Sequence, residues 1–245
     1  MLLLANAAAQ TIVNTETLLL DGEELFDWTA GAAGDFSAGN SEVVDLTLDG
    51  GCALAMGKWQ FKASAAWAKL AEDGQDIQSN AFGQMRIMWG KPTALQPFLF
   101  VQTSQNNVFL MSKRNLLGAG VKRRLVDATS SFLDVSVGAF SEHERYLEEA
   151  LEVPQNVVRN SLILSLGLDV TEEVMFRMTT FVQTSYEDLR DSRVFLECSL
   201  NATITENVSL EWSSGLRWDS QPHGGLGTWD LGNAVGLRFG LNQDE

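Results

Sequence analysis

Apolar and polar side chains alternate along most of the chain, and the alternation is clearest near its C-terminal end. Between residues 208 and 218 one parity holds Val208, Leu210, Trp212, Leu216 and Trp218. The other parity is polar or charged, as at Glu211 and Arg217. Because successive side chains of a β-strand point to opposite faces, this pattern predicts a strand with one apolar and one polar face. Residues 229–241 repeat it, so the two segments predict a hairpin.

The same alternation recurs along the chain and predicts about twelve strands. The remaining strands are predicted at 26–38, 41–54, 59–71, 77–89, 95–106, 110–126, 131–141, 157–171, 174–187 and 192–204. Strands of a soluble sandwich are usually about five or six residues long. Trp59 and Trp67 lie at the two ends of one apolar face, roughly 27 Å apart at about 3.3 Å per residue. Long strands with aromatic residues near their ends are typical of membrane barrels, which turn the apolar face outward.

The connections between these strands sort into two groups. Those at 55–58, 91–94, 127–130, 172–173 and 205–207 are short and fall at one end of the predicted sheet. Those at 72–76, 106–109, 142–156, 187–191 and 219–227 fall at the other end and are mostly longer, and only Gly39-Asn40 is tight there. Outer-membrane barrels have short periplasmic turns and longer external loops. The predicted fold is therefore an all-β, membrane-spanning, antiparallel up-and-down barrel whose last hairpin closes against residues 26–38.

Composition removes several other classes. No run approaches the roughly 18 apolar residues of a membrane helix, which excludes a helical membrane protein. The 21 glycines, seven tryptophans and only four prolines suit long twisted strands. A net charge of −15 argues against nucleic-acid binding. Cys52 and Cys198 are predicted on strands that are not neighbours, and we interpret them as small apolar side chains rather than a disulfide or metal pair.

The chain divides into four predicted parts. Residues 1–9, MLLLANAAA, resemble the end of a secretory signal with an Ala-x-Ala cleavage site, although no basic segment precedes them. Residues 10–25 are expected to form a periplasmic entry segment. Residues 26–241 form the barrel, and residues 242–245 a C-terminal tail.

Strand parity also assigns side chains to the two faces of the barrel. The charged residues predicted to line the lumen are Asp45, Lys62, Arg86, Lys122, Arg124, Arg159, Arg177, Arg193, Glu197, Glu211, Arg217 and Arg238. The residues predicted to face lipid are Trp59, Phe61, Trp67, Leu162, Leu164, Leu166, Trp212, Trp218, Trp229 and Phe239. The polar parity also holds Phe82, Phe98, Phe100, Phe181 and Phe195, which predict partial plugging of the lumen.

Two loops contain residues that could carry chemistry. Ser141 with His143 and Ser220 with His223 could form the nucleophile and base of a rim lipid hydrolase, with Glu144 or Asp219 as the third group. Such catalysis needs the base within hydrogen-bond reach of the hydroxyl, and short spacing alone is weak support for it. The acidic run from Glu142 to Glu152 could form a short helix over the mouth, but a solvated loop is the simpler interpretation. We therefore predict no enzymatic activity, no metal and no cofactor.

Several motifs occur in an order that resembles a known family. They are FVQTSQNN at 100–107, RNLLGAGVKRRL at 114–125, RNSLILSLGL from Arg159, DLR at 188–190 and RWDSQPHGG at 217–225, after the opening IVNTETLLLDGEE at 12–24. Together they resemble the YdiY-like family of salt-induced outer-membrane proteins, a domain of unknown function. The resemblance implies a barrel in the bacterial outer membrane of a Gram-negative cell, without an assigned molecular activity. Barrels of that kind tend to end on an aromatic residue, whereas here Phe239 is followed by six further residues.

The predicted function is that of an outer-membrane barrel with a mixed-charge lumen, serving envelope integrity or the passage of small solutes and ions. A rim lipid hydrolase and a loop-mediated binding or assembly subunit are the alternatives. The expected partners are outer-membrane lipid and lipopolysaccharide, with the barrel-assembly machinery during biogenesis. An open and a plugged lumen, and any oligomeric state, are both compatible with the sequence.

Overall fold

The chain forms twelve β-strands in a computed structural model that describes residues 26–37, 43–73, 75–91, 93–147, 155–205, 207–223 and 226–240. The strands are β1 Phe26–Ser37, β2 Val43–Met56, β3 Trp59–Glu72, β4 Gln75–Trp89, β5 Gln96–Asn106, β6 Met111–Ala128, β7 Ser131–Tyr146, β8 Gln155–Asp169, β9 Val174–Ser185, β10 Ser192–Thr205, β11 Val208–Asp219 and β12 Trp229–Gly240. The predicted signal remnant and entry segment at 1–25, and the tail from 241 onward, lie outside the described residues.

Every strand pairs with its neighbours in sequence, and β1 pairs with β12 to close the sheet into a barrel. All the pairings are antiparallel, and the closing pair runs from Thr29 opposite Gly240 to Ala32 opposite Leu237. The predicted fold class and the predicted closure of the last hairpin against the first strand are confirmed. Along this stretch the closing pairs give partners to the backbone polar groups of β1 and β12, which a barrel needs in a membrane because lipid offers them none.

The two faces of the sheet differ sharply in exposure. Large apolar side chains point outward with much of their surface uncovered, as at Leu99, which is 62% exposed, and Leu117, which is 64% exposed. Interior side chains are mostly buried and include many charged groups, among them Arg114 and Arg159. A monomer that stays in water rarely exposes so much contiguous apolar surface. The outward face is therefore the one suited to lipid.

No helix among the described residues is long and apolar enough to cross a membrane.

One side of the barrel interior is filled with aromatic and aliphatic side chains. Its buried members are Phe98, Leu116, Phe140, Ile163, Phe181 and Phe195, whereas Phe82 lies at its edge and borders the cavity on the other side. Glycines on neighbouring strands make room for these rings: a Cβ at Gly118 would lie 2.7 Å from the Cβ of Phe140 and would collide with the ring of Phe100. The partial plug predicted from strand parity is present, and Phe140 extends it.

The opposite side of the interior carries small side chains. They come from β1, β3, β11 and β12 and include Gly31, Ala33, Ala66, Ser213, Ala234 and Gly236. These residues border a cavity of about 150 Å³. The lumen is therefore off-centre, with free space along the wall where the barrel closes.

The structure shifts several predicted strand ends, and two of the shifts change the interpretation. Strand β7 continues to Tyr146, so Glu142, His143 and Glu144 lie in a strand and not in a loop or helix. The connection after β3 is shorter than predicted, since β4 begins at Gln75. The predicted tight turn at Gly39-Asn40 lies outside the described residues. Residues 148–154, the rest of the proposed capping helix, lie outside the described residues. Cys52 and Cys198 are free thiols, as predicted.

Candidate functional site in the charged barrel interior

The structure places the charged residues assigned to the lumen on the interior parity of their strands. Lys62, Arg86, Lys122, Arg159 and Arg193 are buried, and Asp45, Arg124, Arg177, Glu197, Glu211, Arg217 and Arg238 are half-buried. The residues assigned to lipid all point outward: Trp59, Phe61, Trp67, Leu162, Leu164, Leu166, Trp212, Trp218, Trp229 and Phe239. Three groups of interior charges stand out among the described residues, and each joins at least two strands.

The largest group surrounds Glu142 and lies toward the end with the longer loops. Its carboxylate accepts hydrogen bonds from Arg114 at 2.9 Å, Arg159 at 3.1 Å and Arg193 at 2.8 Å. Glu142 is 1% exposed, and its three partners come from β6, β8 and β10. Since a buried charge needs compensating charges and hydrogen bonds, Glu142 holds strands together that are not neighbours in the sheet.

Two further acids, Glu144 and Asp219, help to balance the positive charge of the arginines. Glu144 lies 3.1 Å from both Arg114 Nε and Arg193 Nη1. Asp219 lies 3.1 Å from Arg193 Nε and 3.0 Å from Arg217. The cluster therefore alternates in sign across the interior and narrows the lumen at this level.

The loop residues of the same end add to this network. Arg159 binds Asp191 at 2.6 Å, at the end of the β9–β10 connection. The guanidinium of Arg217 stacks 3.9 Å from the ring centroid of Phe109, which the β5–β6 connection turns inward. Both contacts tie connections at this end to the interior charges and favour an ordered mouth.

Sequence reasoning missed the central members of this cluster. Glu142 and Glu144 were assigned to a loop, yet they continue the interior parity that Asp134, Ser136 and Phe140 establish on β7. An acidic run at a strand end is usually taken for a solvated loop. The regular spacing by two was the signal that could have placed these glutamates inside.

The proposed serine–histidine pairs are not assembled as catalytic dyads. The hydroxyl of Ser220 donates to the carbonyl of Arg190 at 2.7 Å and accepts from the backbone N–H of Ser192 at 2.8 Å. His223 instead has its Nε2 2.9 Å from the hydroxyl of Tyr146, which donates to Glu144 at 2.7 Å. These groups serve the structure of the mouth.

The pair of Ser141 and His143 is not a catalytic dyad for another reason. Ser141 and His143 lie on the outward face of β7, where His143 Nδ1 is 2.7 Å from Asn156 Oδ1. Arg145 Nε donates to His143 Nε2 at 3.3 Å. Because Nε2 accepts a hydrogen bond from Arg145, the proton of the ring lies on Nδ1, which donates to Asn156. Both ring nitrogens are therefore engaged by neighbours other than Ser141.

Two connections at this end are joined by a short set of hydrogen bonds. Asp188 accepts from the backbone N–H of Arg190 at 2.9 Å and from Gln221 at 3.0 Å. These bonds stabilise the ionised carboxylate and lower the pKa of Asp188 from its ordinary value. The β9–β10 and β11–β12 connections are thereby held together above the wall.

The second interior group lies near the turn between β6 and β7. Asp134 binds Lys122 at 3.0 Å and Arg124 at 2.9 Å. The guanidinium of Arg124 also lies 4.9 Å from the ring centroid of Phe132. This end of the filled half is therefore closed by a compact basic and aromatic group.

The third group lies beside the cavity of the small-residue wall. Arg238 binds Glu211 at 2.7 Å and Asp49 at 3.2 Å, and donates to the hydroxyl of Thr29 at 3.0 Å. Asp49, Glu197, Glu211 and Arg238 all border the cavity. Three acids against one base give this part of the wall a net negative charge. The described residues contain no cluster of acids, histidines and cysteines that could hold a metal ion.

Comparison with solved structures supports the barrel fold. The NanC porin shares 8% sequence identity, and the match covers 87% of this chain and 98% of that one with a TM-score of 0.53. The translocator domain of the autotransporter NalP from Neisseria meningitidis shares 11% identity, with 88% and 87% of the chains covered and a TM-score of 0.47. The KdgM porin shares 7% identity, with 88% and 98% covered and a TM-score of 0.47. At 8% identity and a TM-score of 0.53, the likeness to the NanC porin shows the fold alone.

Sequence comparison gives a family and no characterised relative. A family model described as "Protein of unknown function, DUF481" matches residues 30–240, nearly the whole barrel. A search of curated proteins found no match.

Proposed function

The chain belongs to the DUF481 family of proteins of unknown function, and from its porin-like barrel we propose that it provides a narrow passage for small hydrophilic solutes and ions across the outer membrane. The proposal includes no enzymatic step. The proposal is compatible with the expected role in envelope integrity. A barrel that is filled on one side blocks large molecules, while small ones pass along the other side.

The division of the interior is the observation that carries this proposal. The filled side is occupied by buried rings such as Phe98, Phe140 and Phe181. The opposite wall carries glycine, alanine and serine around a cavity of about 150 Å³. Barrels of intermediate strand number lie between small filled barrels and wide porins. A passage along the small-residue wall fits that size.

The charge of the passage favours cations. Asp49, Glu197 and Glu211 face the cavity together with one base, Arg238. Walls of one sign raise the local concentration of ions of the opposite sign. A cation-preferring passage in a protein resembling a salt-induced family leads us to propose a role when external salt changes.

The proposed position in the outer membrane also implies which molecules surround the barrel. The outward apolar face requires outer-membrane lipid, and the end with the longer loops is proposed to lie outside, next to lipopolysaccharide. Insertion by the barrel-assembly machinery is part of the proposal, since closed barrels need their strands paired before lipid surrounds them.

Replacing Ala66 by Trp tests the route of the passage. Ala66 faces the cavity, whereas its neighbour Ala65 points outward. A Trp side chain at 66 fills much of the free space, so single-channel conductance in planar bilayers should fall several-fold or vanish. The matched control Ala65→Trp places the same ring in lipid and should conduct like the parent.

Two results would contradict the proposed passage. One is the absence of stepwise conductance in the correctly folded parent at every salt concentration. The other is equal conductance of parent and Ala66→Trp, which would place the ion path elsewhere. Heat-modifiable migration on gels verifies that each variant is folded.

Replacing Glu211 by Gln tests the charge preference. The substitution removes one of three acids at the cavity and leaves Arg238 less compensated. The reversal potential in a salt gradient should therefore shift toward anions. An unchanged or more cation-selective reversal potential would show that these acids do not face the conducting path.

A further inference from the structure

A basic cluster lies on the outward face of the barrel, where most side chains are apolar. Lys113 and Arg145 stand directly opposite each other on β6 and β7, and both are exposed. The next outward pairing, one step toward the membrane centre, joins His143 to Asn115 on one side and to Asn156 on the other. These five residues, called here the outer basic cluster, lie near the end with the longer loops.

A β-bulge lies directly beyond Lys113 and ends the regular pairing of β6 with β7. Lys113 pairs with Arg145 in the same register that pairs Asn115 with His143, so alternation along β6 already points it outward. Ser112 is the extra residue of the bulge, and its hydroxyl donates to the carbonyl of Arg145 at 3.0 Å. The bulge therefore fixes the strand end next to the pair of Lys113 and Arg145.

Neighbouring polar groups orient the cluster. The Nε of Arg145 donates to His143, and His143 contacts Asn156. On the other side the hydroxyl of Thr103 donates to Asn115 at 3.0 Å. Among the described residues, the guanidinium of Arg145 donates from its Nε to His143, and its terminal N–H groups point away from that ring toward a ligand.

The charge of this surface is opposite to that of the chain. The protein has 32 acids against 17 lysines and arginines. The outward positions of the described parts of β5–β8 nevertheless contain no Asp or Glu above the turn at 127–130. A surface with basic residues only, on so acidic a protein, is complementary to an anionic partner.

The order of side chains down the outward face of β6–β8 indicates that the anionic partner is a lipid. Below the basic and amide level the outward pairings are mainly apolar. They are Leu117, Ser141 and Val158, then Ala119, Ala139 and Asn160, and then Val121, Val137 and Leu162. Cations above an apolar surface match a molecule with a phosphate headgroup and acyl chains. Juxtamembrane basic residues each strengthen binding to anionic lipid.

We propose that the outer basic cluster binds the phosphate groups of a phosphorylated glycolipid, the lipopolysaccharide of the outer leaflet. Lys113 supplies a compact charge, and Arg145 supplies a planar pair of N–H donors suited to phosphate. The acyl chains then lie along the apolar wall below. The placement rests on the proposed function, which puts the longer loops outside.

The test is the double variant Lys113→Gln/Arg145→Gln, titrated in detergent with lipid A that carries both phosphates. Native mass spectrometry measures the bound fraction. Each basic side chain contributes about five-fold to anionic lipid binding, so the double variant should bind about 25-fold more weakly. Dephosphorylated lipid A should bind parent and variant equally weakly.

The control is Arg123→Gln, which removes an exposed outward charge from the other end of the same strand. It should bind lipid A like the parent. Equal weakening by Arg123→Gln, or equal parental binding of phosphorylated and dephosphorylated lipid A, would overturn the site. Displacement of the lipid by an equal concentration of inorganic phosphate would also overturn it in favour of a soluble anion.

The experiments distinguish a failure of the proposed lipid site from a failure of the proposed passage. Lys113 and Arg145 lie outside the barrel, so the double variant should keep parental conductance and heat-modifiable migration. A parent that binds phosphorylated lipid A without conducting would refute the passage and support the lipid site. A parent that conducts while binding lipid A irrespective of its phosphates would refute the site alone.

Discussion

Replacing Glu142 by Gln is expected to destabilise the barrel by about 3–5 kcal/mol, the usual cost of removing one partner from a buried charge group. Glu142 accepts hydrogen bonds from Arg114, Arg159 and Arg193, all of which are buried. A neutral amide accepts fewer such bonds and leaves an excess of buried positive charge. Because the three arginines come from different strands, the loss should also loosen the interior around the mouth.

The measurement is urea-induced unfolding in lipid vesicles, followed by tryptophan fluorescence. Asp230→Asn is the matched control, because Asp230 also binds an arginine, Arg217 at 3.1 Å, but its side chain is 51% exposed. Exposed ion pairs contribute about 0–1 kcal/mol, so this control should unfold nearly as the parent does. Equal and small effects of both substitutions would show that water fills the interior around Glu142 and screens the cluster.

Replacing Leu164 by Arg should cost about 2–4 kcal/mol, the range for a basic side chain at the midplane of a bilayer. Leu164 points outward from the middle of β8, with Val135 and Thr180 opposite it on the neighbouring strands. An arginine at this position can reach water only by distorting the bilayer. The same unfolding measurement in vesicles determines the cost.

The control for this prediction uses the same strand and the same face. Leu168 lies near the end of β8 and also points outward. An arginine there lies close to the interface and should cost only about 0–1 kcal/mol. Equal costs at 164 and 168, or a negligible cost at 164, would contradict the assignment of the outward face to lipid.

Much of the fold was predictable because a membrane barrel places each strand between two different environments. Leu164 and Ser165, or Trp212 and Ser213, must face opposite sides, so alternation alone assigned both strand and face. The predicted strand ends were less accurate. Glu142 and Glu144 looked like loop residues because their charge compensation comes from Arg114 and Arg193, which are distant in sequence.

Side chains that meet through strand pairing were also outside the reach of the pattern. The register of β6 against β7 is what places Lys113 opposite Arg145. A period of two along one strand contains no information on its partner's register. The outer basic cluster therefore became visible only in the paired sheet.

The sequence by itself determined the number of strands, their direction of exposure and the closure of the last hairpin on the first. These follow from local alternation, which the bilayer imposes on every strand. Only the tertiary structure decided which interior charges meet and where the lumen is filled. Glu142 gathers arginines from three strands, and the rings of Phe98, Phe140 and Phe181 crowd one side while small residues line the other. Such contacts depend on curvature and register across the whole barrel, since residues that meet over the lumen are neighbours neither in sequence nor in the sheet.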